Sequence, residues 1–208
     1  MSCKYIVPCA GFGTRMNMKP NESKEMLIDP TTGHSLIDTV LRCAKVTGAS
    51  VHVITRPEKT DLIEYLTPME NVTVQIIKPK GEWAATVLTS RQDWEDHNIL
   101  ILPDTTWSPL LTTLERMEQS LKLGCNSVVA IHKVQDACKW GAIGDYDITE
   151  KPTIDGEGYA WGLIGFTPIE GVILFRGMLE RDVPCSLENS SFLFLDSFKD
   201  LTRTGKIE

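Results

Sequence analysis

Several side chains in this sequence are of the types, and at the spacings, that phosphate chemistry requires. Gly11-Phe12-Gly13-Thr14-Arg15 follows the short apolar run Tyr5-Ile6-Val7 and Pro8. Two glycines one residue apart let backbone N–H groups converge on an anion with no Cβ in the way. The end of a strand in an α/β sheet is also where ligands collect. A plain tight turn would use the same two glycines. Met16 replaces the third glycine of a dinucleotide fingerprint and no Gly-Lys-Ser/Thr follows, so neither that loop nor a Walker A loop is spelled out. After eight more residues comes Lys24, within Ser23-Lys24-Glu25-Met26-Leu27. Arg15 offers a rigid fork and Lys24 a mobile point charge, a pair suited to a triphosphate. A lone loop lysine is otherwise simply solvated.

Acidic residues occur at three further points. Asp104 directly follows Ile99-Leu100-Ile101-Leu102 and Pro103, where it could anchor Mg²⁺, which prefers one or two carboxylates plus substrate phosphates. It could equally cap the turn before Thr105-Thr106. Glu150-Lys151-Pro152 is either a surface turn or part of a site. Phe194-Leu195-Asp196 closes a late apolar strand, with Asp196 as a ligand or as the N-cap of a terminal helix. His34, His52, His97 and His132 are not spaced as a ligand set. Trp83, Trp140 and Trp161 each lie beside one of these segments and could stack on a base or a sugar, or pack in the core.

The elements that must position these groups alternate. Strands are expected at Tyr5-Ile6-Val7, Val51–Thr55, Val72–Ile77, Ile99–Leu102 and Ser127–Ile131, with helices at Leu36–Ala44, Asp61–Leu66, Trp83–Arg91 and Leu110–Leu123. Gly48 and Gly124 sit where C-caps belong. Such alternation implies right-handed crossovers and a parallel sheet with helices on both faces. Beyond about residue 139 the pattern changes to Ala142–Thr149, Tyr159–Phe166 and a helix near Val172–Leu179, which reads as mixed sheet additions. With no linker and no internal repeat, residues 1–208 are expected to form one domain.

Composition narrows the function. A net charge of −7 argues against a nucleic-acid-coating protein. No run approaches the roughly 20 apolar residues of a membrane span, and the N-terminus does not spell a signal peptide. Six cysteines without any C-x-x-C pair read as small apolar residues in a reducing compartment, so a cytoplasmic location is expected.

Taken in order, Gly11 to Arg15, Lys24 to Leu27, Leu102-Pro103-Asp104, Trp140-Gly141, Glu150-Lys151-Pro152, Tyr159 to Gly162 and Asp196 resemble the sugar-phosphate nucleotidylyltransferases. The closest motifs are those of the bacterial UTP–glucose-1-phosphate uridylyltransferase branch. The resemblance implies a three-layer α/β/α sandwich with a mostly parallel mixed sheet, the Rossmann-like nucleotide-diphospho-sugar transferase fold. It implies an enzyme that joins a nucleoside triphosphate, UTP or dTTP, to a sugar 1-phosphate and releases pyrophosphate, as a monomer or small homo-oligomer. Pro8, Ala10, Gly11, Gly13, Thr14, Gly81 and Glu82 would bind the nucleotide. Arg15 would stabilise departing pyrophosphate, Lys24 the α-phosphate, and Asp104 with Asp196 would share Mg²⁺. Lys151 would hold the sugar phosphate, and Glu150 the sugar hydroxyls with the backbone of Gly141 and Gly162. The chain departs from the family pattern in three places. Ser23 replaces a proline, Lys80-Gly81-Glu82-Trp83-Ala84-Ala85 fills the base-recognition segment, and the region after Phe166 is short. The short end also suits a cytidylyltransferase for a non-sugar phosphate, such as phosphocholine or a polyol phosphate. A non-catalytic nucleotide-sensing homologue is the reading of another class.

Overall fold

The structure, a computed structural model, describes residues 3–79, 81–144, 147–150, 152, 156–179, 184–188 and 190–207. Lys151, Lys80 and the side chain of Glu150 lie outside that description.

Four aliphatic strands run parallel at the centre of the sheet. β1 (Cys3–Pro8) lies between β2 (Ser50–Thr55) and β4 (His97–Leu100), and β3 (Val72–Ile76) extends the sheet beyond β2. The β1 and β4 chains bury nearly every residue, as strands covered on both faces must. β6 (Ser127–Val134) and β11 (Ser190–Phe194) pair in parallel further along. β9 (Gly158–Phe166) runs antiparallel between β4 and β6. An arm of β7 (Gly141–Ile143), β8 (Asp147–Glu150) and β10 (Cys185–Ser186) attaches to the first half of β9.

Helices cover both faces. α1 (Leu36–Thr47), α2 (Thr60–Leu66) and α4 (Leu110–Lys122) pack Val40, Leu62, Leu114 and Met117 onto one face. α3 (Trp83–Leu88) and α5 (Pro168–Gly177) pack Ala84, Val87, Leu174 and Phe175 onto the other. This is the mostly parallel three-layer α/β/α arrangement expected from the alternating pattern. In α1 the start and stop are written locally. Ser35 donates its backbone N–H to the Asp38 carboxylate at 3.2 Å, and Gly48 ends the helix with φ 73°.

Both α3 and α5 depart from their expected bounds. α3 stops at Leu88, with a short 3₁₀ turn at Arg91–Asp93, where a helix to Arg91 was expected. α5 begins at Pro168 and not near Val172, because a proline's fixed φ and missing N–H suit the first helical turn. The short β10 is not expected from the sequence, nor are β5 (Thr105–Ser108) and β12 (Ser197–Asp200), which form a separate antiparallel ribbon whose first strand immediately follows Asp104. No helix follows Asp196 among the described residues. Among the described residues no helix is long and apolar enough to cross a membrane, and all six cysteines are free.

Candidate active site

One cleft opens at the carboxyl ends of β1 and β4. Its wall includes Pro8, Ala10, Gly11, Arg15, Lys24, Gly81 and Asp104, seven of the residues expected from the sequence. The backbone forces the local geometry. Gly13 takes φ 64° and leads into a 3₁₀ turn at Thr14–Met16, so the loop doubles back instead of continuing as helix. Gly81 takes φ 95° just before Glu82, the N-cap of α3. Gly13, Thr14 and Glu82 adjoin the cleft in sequence without lining it.

The charged centre is a connected network. Lys24, on a single 3₁₀ turn (Lys24–Met26), forms an ion pair with the Asp104 carboxylate. Thr202 donates its hydroxyl either to Asp104 Oδ2 at 3.1 Å or to Asp200 Oδ1 at 3.0 Å, standing between the two carboxylates. Arg15 reaches Asp200 Oδ2 at 3.5 Å. Burial alone would raise the Asp104 carboxyl, but the Lys24 charge and hydrogen bonds from Lys24 and Thr202 hold it below the ordinary aspartate range. Burial would likewise lower the Lys24 ammonium, yet the Asp104 and Glu25 charges raise it. Both groups are therefore ionised at neutral pH.

The second carboxylate is Asp200, where the sequence reading had placed Asp196. Asp196 is exposed in the turn between β11 and β12, its N–H donating to the Ser108 carbonyl at 3.0 Å, and it does not line the cleft. β12 carries the chain four residues further and, paired with β5, sets Asp200 opposite Thr105, next to Asp104. The signal was the alternation in Ser197-Phe198-Lys199-Asp200, in which Phe198 and Asp200 share one face. Among the described residues no group of three or more His, Cys, Asp or Glu forms a metal cage, so any ion here would rest on these two carboxylates.

The opposite wall is aromatic: Trp83, Trp140, Trp161 and Phe198 all line the cleft. Trp83 and Trp161 meet at 5.1 Å between centroids. Trp140 is fixed twice, by its indole N–H to Asp136 at 3.1 Å and by the Arg203 guanidinium 3.8 Å above its ring. Phe198 stacks on His132 at 4.3 Å. Gly162 does not face the cleft as expected. A Cβ there would lie 2.6 Å from the Phe198 ring, so its bare backbone makes the seat for Phe198. Gly141 is buried at the start of β7, paired with Glu150, and likewise does not line the cleft.

The sequence matches no protein-family model and no curated protein. The structure is similar to several solved ones. A protein from Bacillus anthracis assigned as a glucose-1-phosphate thymidylyltransferase, solved with sucrose, superposes with a TM-score of 0.75 at 17% identity, over 99% of this chain and 91% of that one. UDP-glucose pyrophosphorylase from Acinetobacter baumannii gives 0.70 at 17% identity, over 99% and 90%. A UDP-glucose pyrophosphorylase solved with UDP-glucose gives 0.67 at 23% identity, over 85% and 80%. At these identities what the chain shares with them is the fold.

Proposed function

We propose that this cleft transfers a nucleotidyl group from a nucleoside triphosphate, UTP or dTTP, to a sugar 1-phosphate, giving a nucleotide sugar and pyrophosphate. The observation that carries the reading is the network Lys24–Asp104–Thr202–Asp200–Arg15 at the strand ends: two cations and two carboxylates joined by one hydroxyl. The fold, shared with nucleotidylyltransferases, supports it.

An oxygen of the acceptor phosphate attacks the α-phosphorus, the bond from that phosphorus to the bridging oxygen breaks, and pyrophosphate leaves with the electron pair. The attacking group is already anionic, so no strong base is needed and the work is positioning and charge neutralisation. Arg15, largely exposed at the mouth, is suited to the departing pyrophosphate. Lys24 is suited to the α-phosphate, which competes with Asp104 for its ammonium. Asp104 and Asp200, hard oxygen donors held together through Thr202, fit Mg²⁺. When bound, that ion would offset the negative charge of the phosphate oxygens. Gly81 and Ala10 offer backbone groups to a pyrimidine ring, and Lys151 with Glu150 are proposed to meet the acceptor phosphate and hydroxyls.

The aromatic wall favours a second reading, cytidylyl transfer to phosphocholine or another non-sugar phosphate, since indole faces attract a quaternary ammonium. The test is pyrophosphate release from UTP, dTTP, CTP, GTP and ATP with Mg²⁺, against a panel of sugar 1-phosphates, phosphocholine and polyol phosphates. Turnover with UTP or dTTP and a sugar 1-phosphate is expected. Turnover only with CTP and phosphocholine selects the second reading, and nucleotide binding with no turnover selects a nucleotide sensor.

A further inference from the structure

Beneath Lys24 lies an ion pair that the reaction scheme does not use. Lys59 and Glu25 are 1% and 0% exposed, with Lys59 Nζ 2.6 Å from Glu25 Oε2. Two charges taken wholly out of water stabilise a fold no better than an apolar pair of the same volume, so stability is a weak reason for their presence. Their neighbours suggest a stronger one. Glu25 lines the same cleft as Asp104, its Oε1 is buried with no hydrogen-bond partner, and it directly follows Lys24. The Lys24 ammonium thus sits in the field of three carboxylates, Asp104 first, Glu25 next and Asp200 after them. Lys59 is the strongest cation acting on Glu25.

We propose that Lys59 is a positioning residue: by neutralising Glu25 it leaves Asp104 as the carboxylate that holds Lys24, and so keeps the Lys24 ammonium in the reacting cleft. The proposal rests on the reading in which Lys24 meets the α-phosphate. The turn that carries Lys24 is three residues long and cannot orient itself. It is fastened from the start of α2 on both sides. Asp61 accepts the Ser23 N–H at 3.0 Å and the Ser23 hydroxyl at 2.6 Å, and Lys59 takes Glu25. Asp61 also accepts the Leu62 N–H at 2.7 Å, which fixes the carboxylate to the helix. With the backbone held by Asp61, the remaining freedom is which carboxylate the Lys24 side chain chooses. Lys59 decides it.

The test compares wild type, Lys59→Met and the double variant Glu25→Leu/Lys59→Met. Lys59→Gln, which keeps a donor for Glu25 without the charge, replaces Lys59→Met if that variant does not fold. In the single variant kcat for pyrophosphate release should fall at least tenfold with KM for UTP within about threefold, because the Lys24 contact strengthens as the α-phosphate reacts while the other nucleotide contacts are untouched. A crystal structure of the variant should show Lys24 Nζ on Glu25. The double variant lacks the Glu25 carboxylate, so kcat should return to within about threefold of wild type with Lys24 on Asp104. A single variant with wild-type kcat and Lys24 still on Asp104, or a double variant as impaired as the single, overturns the proposal. Should wild type release no pyrophosphate from any pair, the functional reading fails. The position of Lys24 in the two crystal structures then still decides the role of Lys59.

Discussion

Asp104 and Asp200 are separated by nearly half of the chain in sequence and by one threonine hydroxyl in space. Replacing either with Asn keeps the shape and removes the charge. We expect Asp104→Asn and Asp200→Asn each to lower kcat by about 100-fold or more, the range for losing one transition-state stabiliser. Asp196→Asn should stay near wild type. Loss of activity in the Asp196 variant, with Asp200→Asn unimpaired, would reverse the assignment. His132 carries a different expectation. Burial against Phe198 and Trp140 pushes its imidazole down to about 4 from an ordinary 6.5. The unfolded chain then takes up a proton at His132 before the folded one does. Stability should therefore fall as pH drops from about 6.5 toward 4, with no contribution from this residue above that window. His132→Phe should flatten the slope of Tm against pH in that window, and an unchanged slope would show that other groups set it.

The elements divide by how they are encoded. Strands β1, β2, β4 and β6 and helices α1, α2 and α4 are legible because each carries its own apolar period and its own stop signal, such as Gly48 or Gly124. The glycine loop, Lys24 and Asp104 were legible for the same local reason, lying beside those strands. The ribbon of β5 and β12 was not. Thr105-Thr106-Trp107-Ser108 and Ser197-Phe198-Lys199-Asp200 contain no apolar run, and what makes them strands is each other. Pairing across that separation leaves only the brief alternation of Ser197–Asp200 as a local pattern, which is why the expectation falls on Asp196, beside a readable strand, and not on Asp200. The turn beyond the ribbon has a constraint of its own. Gly205 takes φ 81°, and a Cβ there would lie 2.7 Å from the Arg15 carbonyl oxygen. Gly205→Ala is thus strained twice, by the left-handed backbone and by contact with a main-chain atom. It should cost more than about 1 kcal/mol of stability and, by shifting Arg15, lower kcat/KM for the triphosphate about tenfold or more. Loss of stability without loss of kcat/KM would show that Arg15 is held from elsewhere.

Across the whole molecule the two halves of the site rest on different foundations. The glycine loop, Lys24 and Asp104 stand on the described ten-stranded sheet, whose two faces are sealed by separate apolar clusters. Asp200, Thr202 and Phe198 stand on or just beyond a ribbon of four residue pairs, fastened to the body by Leu201 N–H to the Asp104 carbonyl at 2.8 Å and by the buried Leu201 side chain. The net charge of −7 gives no long-range attraction for a triphosphate, so affinity must be generated by the few cations inside the cleft.

A ribbon with so few pairs can open while the sheet beneath it stays folded. Its amide protons, with that of Leu201 beyond it (residues 198–201), should then exchange with solvent through local opening, far faster than those of Ile99 and Leu100 in β4, which wait for global unfolding. UTP with Mg²⁺ would bind only the closed ribbon if Asp200 is part of the site. At a ligand concentration 100 times Kd, exchange at 198–201 should slow about 100-fold, a linkage of about 2.7 kcal/mol, while β4 is read in the same experiment as the reference. Equal rates for the two segments without ligand would mean that the ribbon opens only with the whole fold. An unslowed ribbon at saturating nucleotide would mean that the triphosphate is held by the glycine loop and Lys24 alone.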